Sequence, residues 1–378
     1  MAPLATAVLP WRDARGEVGS FLETCPTSFA QETPGWAAVI EAIGPDRSRY
    51  VVCRDGARTV GVLPAHLCTG PLGSILTSAA HAGALGGVAS ASDVEREPVY
   101  RALLAAFEEL ARAEGAALAT VYTNPIWPDH EQVERFLEPH YVLENACQVL
   151  DLERGVSAEG TFPLASENLR RNLRRAESGQ LSVDRDATPT NVRAWHALHV
   201  ERHREIGATP LPEAMFLGAL EHMLPAGKAS FFFVRLVERP EVMVAGGFYV
   251  HHGKVIDALM PAFRSEYSEL APNFLLAAHT LRWARAAGLR FYNWQGSPPE
   301  GGVRRFKLQW GSTDHSYRLC TRVTGDAAPF LHATADEIKR GYPWHFALPF
   351  DALGTAPGAA PHRSRREGAW KVGADGER

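Results

Sequence analysis

Three groups of side chains in this 378-residue sequence have types and spacings suited to chemistry. The first is Arg304-Arg305-Phe306-Lys307, followed by Trp310-Gly311. Arg305 and Lys307 alternate with Phe306 and Leu308 as on a half-buried strand. Lys307 then either lies solvated on that strand or projects inward. From the inward position its ammonium would stabilise negative charge developing on the oxygen of an attacked acyl carbon. The second group is acidic: Asp257, Glu266 and Glu269. Moving an acyl group to an amine requires a carboxylate, histidine or relayed water within reach of the ammonium proton. Asp257 stands inside the apolar run from Val255 to Met260, where a carboxylate is costly unless it is used or paired with an arginine. Tyr267 and Glu269 lie just before a helix where a substrate would pass, and Phe306, Trp294 and Gln295 are further candidates to line the substrate. The third group is Arg170, Arg171, Arg174 and Arg175. Guanidinium groups suit bidentate contact with phosphates, and Arg305 joins them as a phosphate candidate. The alternative is a solvated helix face.

These residues need elements to hold them. Val255 to Met260 has the length and branching of a strand. A helix follows, with Pro272 in its first turn and Gly288 just past its end. A second strand, Leu289 to Gln295, stops at Gly296-Ser297-Pro298-Pro299. Strand, crossover helix and strand in this order imply parallel neighbours with a right-handed connection. The arginines belong to a helix within Pro163 to Glu177, where Leu169, Leu173 and Ala176 form one narrow apolar seam and Ser166 is the N-cap.

The same unit occurs earlier in the chain. A hairpin over Arg49–Arg54 and Thr59–Ala65 precedes a helix opened by Pro98 and capped by Gly115, then a strand from Ala117 to Thr123 ending at Asn124-Pro125. Pro98 matches Pro272, Gly115 matches Gly288 and Pro125 matches Pro298, at an offset of about 173–174 residues, which reads as an internal duplication. Residues 1–36 read as an irregular opening segment before a helix over Gly35–Ile43.

Net charge −4 and pI near 6.4 argue against non-specific coating of nucleic acid but allow a local basic groove. The five cysteines are scattered and odd in number, which fits reduced thiols in a cytoplasmic protein better than disulfides or a structural zinc site. No signal peptide and no membrane span is expected. His196, His199 and His203 share a helix face, but the HExxH arrangement is absent, so no metal is expected there. P-loop, GxSxG and GxGxxG signatures are missing too, which removes most kinase, hydrolase and nucleotide-redox readings.

The succession NLRRNLRRAE, SEYSELAPNFLLAAHTLRWARAAGLRFYNWQGSP and FKLQWGS resembles the tandem-GNAT group, which includes the Fem-type aminoacyl-tRNA transferases and related acetyltransferase-like proteins. The resemblance covers roughly residues 160–320. It implies an α/β fold: two GNAT-like domains in tandem, with mixed sheets and flanking helices. The expected domains are 1–155, then 156–345 with the donor site, then a disordered tail over 351–378. The resemblance further implies that the acyl donor enters where the two central strands splay, and that the Phe306-Lys307 pair meets the aminoacyl ester or tRNA end. Arg171 and Arg174 would contact phosphate. The acceptor would be a small-molecule or peptide amine, and no cofactor would be permanently bound. No long coiled-coil insertion is present, which counts against a peptidoglycan precursor as acceptor. An RxxGxG/A pyrophosphate loop is also missing before Pro272. Glu266 and Glu269 stand there instead and would repel the phosphates of acyl-CoA, the alternative donor. A non-catalytic ligand-binding scaffold is the third reading.

Overall fold

A computed structural model describes residues 4–80, 83, 85–298 and 300–365. Residues 4–146 and 315–365 form one compact unit, and residues 147–314 form the other. The division therefore falls at 146/147 rather than 155/156, and residues 315–345 belong with the first unit.

In chain order the strands are β1 (Ala5–Pro10), β2 (Arg47–Asp55), β3 (Arg58–Gly70), β4 (Gly73–Thr77), β5 (Ala89–Ser90), β6 (Ala116–Tyr122) and β7 (Tyr141–Asp151). They continue with β8 (Leu181–Asp184), β9 (Ala229–Leu236), β10 (Met243–His252), β11 (Val255–Phe263), β12 (Phe291–Gly296), β13 (Thr313–Val323) and β14 (His362–Arg365). The first unit orders its sheet β1-β2-β3-β4-β6-β13, antiparallel throughout except for the parallel pair β4–β6. The second orders its sheet β8-β9-β10-β11-β12 and then the 147–151 half of β7, again antiparallel except for one parallel pair, β11–β12. Both parallel pairs are joined by a crossover helix, Arg96–Ala113 in one unit and Pro272–Ala286 in the other. Gly115 (φ +67°) and Gly288 (φ +77°) end these helices in the left-handed region, which a Cβ would penalise. The duplication is thus a repeat of topology.

Three sequence expectations are corrected here. Within the segment 1–36 expected to be irregular, residues 1–3 lie outside the described residues and the rest is ordered: β1 pairs with β2, and a helix runs from Trp11 to Leu22, burying Ala14, Val18, Phe21 and Leu22. The tail expected to be disordered from 351 is structured as far as 365. There β14 lies parallel on Tyr141–Glu144, Arg363 pairs with Glu134, and Ser364 Oγ donates to Asp351. Residues 366–378 lie outside the described residues. Finally, Gly302–Leu308 is a short helix rather than a strand. Four alternating residues fit either period, and Phe306 and Trp310, four apart, turn one helix face onto the aromatic core.

In the second unit the crossover helix packs Leu276, Ala277, Leu281 and Ala284 against the sheet residues Phe232, Tyr249, Ile256 and Tyr292. The arginine helix, Glu167–Ala176, adds Leu169 and Leu173 to this core. Each buried leucine contributes about 1.5–3 kcal/mol. That anchorage leaves Arg170, Arg171, Arg174 and Arg175 exposed on the other faces. Ser166 Oγ caps the helix by accepting from Leu169 N–H at 3.2 Å.

Candidate active site

The two central strands of the second unit come apart. β11 and β12 pair only at Val255–Phe291, Ile256–Tyr292 and Asp257–Asn293. Beyond that point β11 stays on β10 as far as Phe263, while Gly296 of β12 pairs with Cys147. Two irregularities accompany the separation. A bulge leaves Leu259 as the extra residue of β11 opposite Phe248–Tyr249, and the β12 register shifts between Asn293 and Gly296. Within that shift Gln295 adopts φ +65°, a strain of roughly 1–3 kcal/mol for a residue with a Cβ.

Asp257 sits where the pairing ends. It is fully buried, and its Oδ1 accepts from Asn293 Nδ2 at 2.6 Å and Gln295 Nε2 at 2.9 Å. Gln295 is committed at three atoms. Besides its side-chain amide, its N–H donates to Asn293 Oδ1 at 2.9 Å and its carbonyl accepts from Lys307 Nζ at 2.7 Å. At about 0.5–1.5 kcal/mol each, and more where a charge takes part, these bonds offset the backbone strain.

Lys307 is 6% exposed on the helix Gly302–Leu308. Its Nζ donates to the carbonyls of Gln295 and Gly296 at 2.7 and 3.0 Å, and to Gln148 Oε1 at 3.3 Å. The ammonium therefore faces the end of β12 where the strands have parted. Cys147 lies close enough to feel both Asp257 and Lys307, although burial dominates and pushes its thiol up. A carboxylate and an ammonium held beside an opening between parallel strands can take a proton from an amine and stabilise an oxyanion.

Residues 165–308 match the family model of the acetyltransferase (GNAT) domain. The fold is that of two GNAT-like domains in tandem. Among solved structures it is similar to FemX, at TM-score 0.65 and 13% identity over 80% of this chain and 95% of that one. It is also similar to the C-terminal domain of a putative lysylphosphatidylglycerol synthetase from Agrobacterium fabrum, at TM-score 0.56 and 13% identity over 85% and 95%. A tandem GNAT protein from the clavulanic acid biosynthesis pathway matches at TM-score 0.52 and 17% identity over 85% and 99%. No curated protein sequence matches the chain. It is an acyltransferase of GNAT type.

Other expected site residues of this GNAT unit sit around the opening in different ways. Tyr267 is half-buried and Glu269 exposed on the 3-10 turns Ser265–Leu270, between β11 and the crossover helix. Trp294 is part of the core: its Nε1 donates to Ser312 Oγ at 2.7 Å, and its ring packs on Tyr292, Phe306 and Trp310. Phe306 packs edge-on against Phe274 in the first turn of the crossover helix, 5.1 Å between centroids, and so sets where Lys307 points. Arg305 is exposed on the same helix. The arginine helix adjoins that helix, since Asn168 Nδ2 donates to Gln309 Oε1 at 3.0 Å and Arg171 donates to Asn168 Oδ1 at 2.7 Å.

Sequence reasoning missed Asn293 and Gln148. Asn293 follows Asp257 in register only once the strands are paired. Gln148 is 159 residues from Lys307 in sequence and carries no motif. Its Oε1 also accepts from Ser297 Oγ at 2.6 Å and its Nε2 donates to Asp314 at 2.8 Å, so it remains bonded if Lys307 turns to a substrate. The histidine trio serves packing. Burial pushes His199 down to about 3, and its neutral Nε2 accepts from Leu211 N–H at 3.1 Å. His196 Nε2 lies 3.0 Å from Leu211 O, and His203 Nδ1 lies 2.9 Å from His199 O. Among the described residues, no helix is long and apolar enough to cross a membrane.

Proposed function

We propose that this protein transfers an aminoacyl group from aminoacyl-tRNA to the amine of a small-molecule or peptide acceptor, by direct attack. Asp257 takes the proton from the incoming ammonium, with Glu269 as a second candidate nearer the surface. The freed amine attacks the ester carbonyl carbon. Lys307 stabilises the resulting oxyanion by exchanging its longest contact, 3.3 Å to Gln148, for the substrate oxygen. The C–O bond to the tRNA ribose then breaks, and the ribose oxygen leaves with a proton. Tyr267, Phe306, Trp294 and Gln295 shape the walls around the acyl group.

Charge carries the choice of donor. Arg170, Arg171, Arg174 and Arg175 stand exposed on one helix, which is joined through Asn168 and Gln309 to the helix bearing Arg305 and Lys307. That surface suits a polyphosphate chain. The segment before the crossover helix is the place where a CoA pyrophosphate would be held, and it supports CoA poorly. It exposes Glu266 and Glu269, begins its helix with a proline lacking an N–H, and turns the Phe274 N–H back onto Ala271 O. The likeness to a putative lysylphosphatidylglycerol synthetase, whose named product carries an aminoacyl group, agrees with an aminoacyl donor. The clavulanic-pathway relative, described in relation to AcCoA, agrees with the acyl-CoA reading.

The test adds purified protein to a desalted cell extract supplied with ATP and a labelled amino acid mixture, and follows label entering small amines or peptides. Ribonuclease abolishes the transfer if tRNA is the donor. Transfer that survives ribonuclease but requires added CoA overturns the proposal, and label entering small amines equally with and without the added protein assigns it to the scaffold reading.

A further inference from the structure

Four side chains of the first unit share one face of the β2–β3 hairpin. Ser48 and His66 are register partners. Asp46 lies two residues before Ser48 and Cys68 two residues after His66, so strand alternation turns all four the same way. His345, 277 residues from Cys68 in sequence, reaches this face from the C-terminal segment. Its Nδ1 lies 3.4 Å from Cys68 Sγ and its Nε2 lies 3.2 Å from Asp46 Oδ2. One ligating atom from each of Asp46, Cys68 and His345 falls within 4.8 Å of the others. His66 is 1% exposed. Its Nδ1 is 2.9 Å from Ser48 Oγ, and its Nε2 is buried without a hydrogen-bond partner.

Tetrahedral zinc, with Zn–S of about 2.3 Å and Zn–N or Zn–O of about 2.0–2.1 Å, sets its ligand atoms roughly 3.3–3.5 Å apart. The 3.4 Å contact of His345 Nδ1 with Cys68 Sγ has nearly that length. We propose that Asp46, Cys68 and His345 form a structural zinc site in the first unit, with a water oxygen as the fourth ligand. Zinc displaces the Cys68 proton to solvent. Thiolate and carboxylate then balance the ion's two positive charges, and no electron is exchanged. The His345 ring turns so that one nitrogen ligates, trading its present contacts for the metal. Cys68 is 1% exposed and the His345 side chain 8%, so the ion is walled in and acts by tying rather than by catalysis. It fastens the segment around Tyr342, Ala347 and Leu348, which already packs on Cys68 and Ile75, to the hairpin. A Cys–His–Asp nucleophile would use the same atoms, but Cys68 is 1% exposed and beyond the reach of an acyl carbon.

The test uses the full chain. Metal analysis after gel filtration is expected to find one zinc per chain. Titration of the chelated protein with Co2+ is expected to give a thiolate-to-cobalt charge-transfer band that Zn2+ removes. Cys68→Ser and His345→Ala abolish that band and weaken zinc binding by at least about 100-fold. Cys53→Ser leaves all three unchanged. Chelation lowers the melting temperature of the native chain but not of Cys68→Ser. The proposal is overturned if the native chain binds neither ion, if it binds cobalt without a thiolate band, or if Cys68→Ser keeps full affinity. The first two readings need no variant to fold.

Discussion

Replacing Arg170, Arg171, Arg174 and Arg175 by glutamine strips four charges from one helix and leaves its anchoring face intact. Leu169, Leu173 and Ala176 hold the helix to the core. The arginines themselves make only surface contacts. Arg170 and Arg174 share Glu167 at 3.8 and 3.6 Å with side chains 50% and 68% exposed, while Arg171 and Arg175 donate to Asn168 and Asn172. Exposed contacts of this kind contribute about 0–1 kcal/mol. The melting point should therefore move by only a few degrees, at about 2–4 °C per kcal/mol for a unit of this size. RNA binding should change far more. Each neutralised phosphate contributes about 0.7–0.9 to the slope of log affinity against log salt, so losing four lowers the slope by about 3. Over a fourfold rise in salt, that is a difference of roughly 60-fold in how far affinity falls. Fluorescence anisotropy of labelled tRNA at several salt concentrations reads the slope directly. A variant whose slope stays within one unit of the native value would show that these arginines do not face phosphate, and the tRNA assignment would go with them.

Asp257→Asn keeps an oxygen for the Asn293 and Gln295 amides but loses the base. Turnover should fall roughly 10²–10⁴-fold with little change in melting point, and a fall below tenfold sinks its assignment. Lys307→Met should cost about 10²–10³-fold in turnover and also stability, because the Gln295 and Gly296 carbonyls lose a donor at about 1–3 kcal/mol each. Unaltered turnover would remove Lys307 from the mechanism. His199 supplies a pH test. Its folded value, about 3, lies below the unfolded value near 6.5. The stability it contributes is therefore complete above about pH 6.5 and is lost as pH falls toward 3. Denaturant midpoints of the native chain and His199→Gln should diverge progressively less below pH 6.5, and a constant difference down to pH 4 refutes this account.

How much of this was legible depended on whether the signal was local. Pro98, Gly115, Pro272 and Gly288 mark helix ends through their own backbone chemistry, so both crossover helices and the duplication follow from sequence. The helix Trp11–Leu22 escaped notice because it follows β1 directly, with Pro10 both ending the strand and standing in front of the helix. The short strand β4 was not legible either, since it begins at Gly73 and a glycine favours no strand. Lys307 stood out by its place in the chain, yet its contacts did not. Backbone carbonyls and the amide of Gln148 leave no mark on a sequence, and neither does a histidine 277 residues from the cysteine it meets.

The repeated topology also supports placing the proposed chemistry in the second unit. In the first, β4 and β6 stay joined from Ser74 to Thr77, and the closure continues where Ser78 N–H donates to Thr120 O at 2.9 Å. Ser78 Oγ then accepts from Tyr122 N–H at 3.0 Å and donates to Gly86 O at 2.6 Å. Gly87 lies against the Tyr122 carbonyl so closely that an added Cβ would stand 2.2 Å from that oxygen, and its N–H is held by Glu32 at 3.0 Å. The position that opens in one copy is therefore filled by the chain itself in the other. Gly87→Ala must push the segment off Tyr122 and break the Glu32 contact, at a cost of about 1–3 kcal/mol or more. A thermal melt should show that loss, while tRNA affinity stays at the native value because the arginine helix is untouched. Native stability in Gly87→Ala would mean that the first copy is not plugged at this point, and the reason for confining catalysis to the second would fail.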